Sequence, residues 1–261
     1  MGLVLHLYAG DNDDTLPAAY QTSNHGRYLR NRGVWVPYDW AVSTDHLQVD
    51  RGLHAWPNSA EGYWKDSRIF KTEQVPDFVF PYWILTQRPG AKKPVRIGQS
   101  FNGLLSHWSL SAISSSSEVP LLSQVFGGGN FHGFSYSTPA LKCPIAGPCI
   151  YSGSSPACSR EINGTVSTIT FHDVNGQTVY GRQQIYLTTD LSAKSFTISK
   201  ADINSQPSNP AVEFFSRYER NDIPFFEWKD QYGCHSLRFR PDFEPADLGL
   251  ALETGTEIGA D

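Results

Sequence analysis

The chain has 261 residues, 39% hydrophobic and 13% aromatic, long enough for one large β domain with a continuous core and too aromatic for a disordered chain. No apolar run approaches the roughly 18 residues that a bilayer span requires. With 21 basic against 26 acidic residues the net charge is −5, which gives no general pull towards nucleic acid or anionic lipid.

In chain order, the apolar run at 3–8 lacks a basic leader and passes directly into Asp11-Asn12-Asp13-Asp14. It reads as a first strand rather than a signal peptide, and His6 stands where a myristoylation site requires Ser or Thr. Asp11, Asp13 and Asp14 offer the hard oxygen ligands that Ca²⁺ takes. The run lacks the glycine and the closing glutamate of an EF-hand, so a solvated turn competes with the metal reading.

Strands are expected at 33–36 and 46–49. The segment 54–64 is loop-like, and six of the seven tryptophans fall within the first 108 residues. Trp56, Tyr63 and Trp64 could stack on sugar rings while Asn58 and Glu61 bond hydroxyls; burial in a core or a subunit interface is the alternative. Further strands are expected at 78–85 (Pro81 marks an edge or a bulge), 95–97 and 104–110. The Ser-rich stretch at 111–118 reads as a surface loop and as the one internal boundary the chain offers.

Gly127-Gly128-Gly129-Asn130 lacks the Lys and Ser/Thr of a phosphate loop. Gly133-Phe134-Ser135 begins like a nucleophile elbow, but Ser137-Thr138-Pro139 cannot open the helix that the elbow needs. Cys143, Cys149 and Cys158 share a Pro/Gly/Ser-rich stretch and Cys234 follows far along the chain. The four are disulfide candidates, with free buried thiols as the alternative; the spacing does not match a zinc knuckle. Asn163-Gly164-Thr165 is a glycosylation sequon.

The clearest local signal is a hairpin of 165–174 and 177–188 about Asn175-Gly176, a pair suited to a type I′ turn. Strands at 195–199, 212–215 and 235–240 follow; in the last, Arg238 and Arg240 fall on the wet side of an alternating pattern. Glu227 has apolar neighbours in Phe225, Phe226 and Trp228, the company that raises a carboxyl pKa. Residues 246–253 could form a helical turn, and 246–261 reads as a tail.

Long helical periodicity is absent. The expected fold is therefore all-β, an antiparallel β-sandwich or jelly-roll-like barrel with long irregular loops, as a single domain over 1–245. No H-E-x-x-H and no H-x-D or H-x-E pair occurs, and His172-Asp173, adjacent on an expected strand, would point to opposite faces. The expected function is non-enzymatic: an assembly or adhesion protein, either a virion or tail component or an extracellular binding module. Its expected partners are copies of itself and glycans, with no nucleic acid, no membrane span and no cofactor beyond the Ca²⁺ option. A carbohydrate-active enzyme using two of Glu61, Asp66, Glu73, Asp77, Glu213, Glu219 and Glu227 is the first alternative. A secreted toxin is the second.

Overall fold

The structure is a computed structural model. It describes residues 1–20, 34–42, 52–73, 77–78, 86–124, 130–141, 150–151, 167–168, 183–197, 199–201, 215–218, 224–229, 237–250 and 252–255. Within these the chain is rich in short strands, has little helix, and pairs mainly antiparallel. One four-stranded antiparallel sheet runs in the order Ala193–Thr197, Gln183–Thr188, Pro120–Gln124 and Gln99–Phe101. A second places Ser199–Ala201, Phe215–Tyr218, Pro224–Lys229 and Leu252–Gly255 side by side, its first pair parallel. Asp77–Phe78, Asn130–His132 and Arg96–Ile97 make a three-stranded sheet. No described helix is long and apolar enough to cross a membrane.

The N-terminal run is not a strand. Gly2–Gly10 is an α-helix, and it buries Gly2, Val4, Leu5 and Ala9. Positions 2, 5 and 9 lie on one helical face, whereas a strand would bury alternate residues. The helix docks on the loop of the 183–197 hairpin. His6 Nε2 donates to the Thr189 carbonyl at 2.8 Å, and a side chain at Gly2 would run into Leu187 and Leu191. Leu191 holds a left-handed φ of 69°, which closes the hairpin through Leu191 N–H to Thr188 O and Thr188 N–H to Ser192 O.

Two other expected strands are corrected. Within 104–110 the backbone forms 3-10 turns, Gly103–Leu105 and Leu110–Ala112, separated by His107 at φ 55°. Of 235–240, the described part is the 3-10 turn Leu237–Phe239. Arg238 and Arg240 are buried there, at 7% and 6% exposure; Arg238 is engaged by the remote Glu118, and Arg240 by Asp242 and Asp247 just downstream. The Asn175-Gly176 turn lies outside the described residues. The second arm of the expected hairpin is a strand over Gln183–Thr188, but it pairs with Ala193–Thr197 and Pro120–Gln124, and Ser167–Thr168 pairs with Ala140–Leu141.

One buried apolar cluster extends from Val4 to Phe243 and includes residues on both sides of the Ser-rich stretch. That stretch is tied down near its middle: Ser114 N–H donates to Pro241 O, and Asp190 N–H donates to Ser116 O. Of the expected tail, Leu252–Gly255 is an edge strand, and the expected helical turn is the 3-10 segment Pro245–Leu250.

Gly133 has a φ of 83°, and a side chain there would meet the Trp40 ring, whose Nε1 donates to the Gly133 carbonyl. Gly133→Ala should therefore cost about 2–4 kcal/mol through backbone strain and overpacking. Gly62→Ala, which points into open space, should stay within about 0.5 kcal/mol. Urea denaturation of the two variants checks the difference.

Candidate functional site

The aromatic segment expected to meet sugars is mostly built into the core. It folds as a short helix, Trp56–Ser59, followed by the 3-10 turn Glu61–Tyr63. Trp56 is fully buried. Its ring stacks on Phe101 at 5.9 Å and 23° and sits 6.2 Å from Phe70, so neither face is open to a ligand. Asn58 is buried too, and its amide donates to the carbonyls of Trp35 and Gly52, each at 2.7 Å. Glu61 pairs with Lys92, Trp64 packs edge-on against Phe70 at 5.1 Å, and Tyr63 Oη donates to Asp11 Oδ2 at 2.9 Å. Glu61, Tyr63 and Trp64 keep partial exposure.

The acidic run is divided among separate tasks. Asp11 accepts the Tyr63 hydroxyl, and this bond holds the Tyr63 pKa above its ordinary value. Asp14 accepts Ser109 Oγ at 2.6 Å and Ser111 N–H at 2.8 Å; the two serines hold its carboxyl below the usual range. Asp13 and Asp14 both have left-handed φ, at 52° and 61°, a region that aspartate tolerates better than most residues. Together they turn the chain out of the helix. Among the described residues no group of three His, Cys, Asp or Glu side chains is placed to hold a metal ion.

Ser135 is fully buried in the short strand Phe134–Ser135, so its hydroxyl does not face solvent as an elbow nucleophile would. Cys143, Cys149, Cys158, Cys234, Asn163, Glu213 and Glu219 lie outside the described residues. Glu227 lies in the strand Pro224–Lys229, opposite Phe215 and Thr254.

A different constellation lines a cleft among the described residues. Glu118, at the end of the Ser-rich stretch, accepts Lys194 Nζ at 2.5 Å and Arg238 Nη1 at 3.1 Å. Lys194 comes from the edge strand Ala193–Thr197 and Arg238 from the turn Leu237–Phe239, so three remote segments converge on one carboxylate. The guanidinium lies 5.3 Å from the Phe196 ring centroid and 5.9 Å from that of Phe243, within reach of favourable cation–π contact. Burial pulls the Arg238 pKa below its ordinary value, and Glu118 opposes that shift. Beneath, Tyr186 is enclosed between Phe196 and Phe239, and its burial pushes the hydroxyl pKa well up.

Pro245 and Leu248 complete the rim of a cavity of about 550 Å³, a size typical of small-molecule sites. Lys194 and Arg238 both meet Glu118 at this cleft, in a chain of net charge −5. Asp190 stands near enough to feel Lys194, although its carboxyl is lowered chiefly by the Thr188 hydroxyl. A guanidinium does not exchange its proton near neutral pH, so the arrangement is suited to holding an anion. Sequence reasoning missed all three charged residues. Alternation assigned Arg238 to water, and nothing local links it to a glutamate 120 positions earlier.

Comparison with known proteins gives no match: no protein-family model fits the chain, and no curated protein or solved structure is significantly similar to it.

Removing Glu118 leaves Arg238 buried without that carboxylate, whereas Lys194 can turn to solvent. Glu118→Ala should cost about 2 kcal/mol and Lys194→Ala less than about 1 kcal/mol. Equal losses in urea denaturation would contradict the asymmetry.

Proposed function

We propose that this is a non-enzymatic β-rich protein, an antiparallel sandwich or jelly-roll-like body, that works by assembling with copies of itself in a virion or at an extracellular surface. The observation that carries the reading is the outer face of the N-terminal helix. Leu3 is 62% exposed and Leu7 50%, and with Gly10 they form one stripe at helical spacing. The opposite face is packed against the body, so the stripe is held rigidly. Gly2–Gly10 contains no acidic or basic residue apart from His6, which is engaged by Thr189.

A second copy of the chain is the occupant that suits such a face. Two molecules of charge −5 repel each other, and an uncharged apolar stripe lets them meet without adding like charges to the contact. A two-fold axis would lay the stripe against itself, as closed dimers do. Glycan contact belongs to the same reading, with Tyr63 and Trp64 as the available aromatic faces now that Trp56 is enclosed.

Light scattering with size-exclusion chromatography tests the proposal. The full chain should run as an oligomer, and Leu3→Ser with Leu7→Ser should shift it towards the monomer while circular dichroism stays unchanged. A wild-type chain that remains monomeric at high concentration, or a double variant with undiminished assembly, overturns it.

A further inference from the structure

The outer stripe of the helix Gly2–Gly10 is uneven in shape. Leu3, Leu7 and Gly10 lie within about 60° of one another around the helix axis; the first two are exposed leucines and the third has no side chain. A methyl group added at Gly10 would meet nothing within 4 Å in its own chain, so the stripe presents two knobs and an open notch. It is uneven in charge as well. Asp11 and Asp13, both exposed, stand just beyond the carboxyl end of the helix. The first turn holds no acidic residue and has no side-chain cap. The acids therefore sit where the helix dipole is already negative, and its positive end carries no acidic side chain of its own.

Resting on the assembly reading above, we infer that two copies meet with these helices antiparallel, and that the notch at Gly10 receives the partner's Leu3. With the two-fold axis at Leu7, the two Leu7 side chains meet each other and Leu3 of each copy comes opposite Gly10 of the other. The rise from Leu3 to Leu7 is about 6 Å and from Leu7 to Gly10 about 4.5 Å, close enough for that pairing to register. Both notches are then filled, and each acidic end lies beside the start of the other helix, where negative charge is stabilised. A parallel pairing sets Gly10 against Gly10, so the leucines lose those contacts. It also brings the two acidic ends side by side, where like charges repel. Shape and charge select the same arrangement.

Light scattering of the full chain across a dilution series tests the fit. Gly10→Leu fills the notch from within, and since nothing in its own chain lies near, circular dichroism should be unchanged. In the antiparallel pair the added side chain collides with the partner's Leu3, so the dissociation constant should rise about tenfold. Combining Gly10→Leu with Leu3→Ala exchanges knob and notch, and should bring the constant back to within about threefold of the wild-type value. A Gly10→Leu chain that associates as tightly as wild type or more tightly, or a double variant no tighter than Gly10→Leu, overturns the antiparallel fit and leaves assembly through the stripe standing. A wild-type chain that stays monomeric, or assembly undiminished by Leu3→Ser with Leu7→Ser, overturns the assembly reading and this inference with it.

Discussion

Asn102 is the buried polar group around which the rest of the fold is arranged. Its side chain is 1% exposed and fully used: the amide donates to the carbonyls of Pro120 and Phe239, both at 2.8 Å, and the oxygen accepts Leu104 N–H at 3.0 Å. Strands of two to six residues cannot satisfy their own flanking backbone groups, and a buried carbonyl without a partner costs about 1–3 kcal/mol. Asn102 supplies what a longer sheet would have supplied. Asn130 does the same for Thr72, accepting its N–H at 2.7 Å and donating to its carbonyl at 3.0 Å, and Asn58 serves Trp35 and Gly52. Three buried asparagines thus satisfy backbone groups at and beyond the ends of the short described ladders, as Asn102 does for Pro120 beside its own strand and for the remote Phe239.

This mode of construction decides what the sequence could disclose. The β-rich character was legible, because β-prone runs separated by glycine and proline are a property of composition and short-range pattern. A helical turn was expected at 246–253; the 3-10 segment Pro245–Leu250 covers its first part, and Leu252–Gly255 is a strand. The helix Gly2–Gly10 was not legible. Its nine residues are apolar on nearly every side, so neither the 3.6-residue nor the 2-residue period stands out, and the tertiary contacts of Gly2 and His6 decide the matter. The run 104–110 failed for the opposite reason. Leu104, Leu105 and Leu110 look like strand residues, but Asn102 caps the turn at 103–105, and backbone bonds from Leu110 to Asp14 O and from Leu16 to Trp108 O hold the next segment elsewhere.

The candidate sites divide in the same way. Trp56 and Asn58 were singled out for their chemistry, and that chemistry is consumed internally: the indole fills the core and the amide satisfies two carbonyls. Buried arginines were invisible because alternation treats charge as a mark of solvent. Arg240 illustrates the error as fully as Arg238 does. It is 6% exposed and donates to Asp242 at 2.9 Å and to Tyr151 at 3.2 Å. Asp242, two residues on, was within local reach, but Tyr151 lies 89 positions away, and no pattern in one sequence reports a pairing at that distance.

Arg238 and Arg240 differ in the direction in which their surroundings move them. Arg240 faces two carboxylates, Asp242 and Asp247, so its charge is more than balanced and its pKa is driven up despite burial. Such a group fixes the 3-10 segment that follows it and has no charge to offer a ligand. Arg238 shares the Glu118 carboxylate with Lys194, and burial lowers its pKa. Burial is similar in the two cases, and for Arg240 the Asp242 hydrogen bond and the nearby Tyr151 and Asp247 outweigh it. The two arginines are separated by a single residue, Phe239, whose carbonyl Asn102 holds. The node that organises the backbone therefore also fixes the spacing between the arginine that meets Glu118 and the one that meets Asp242 and Asp247.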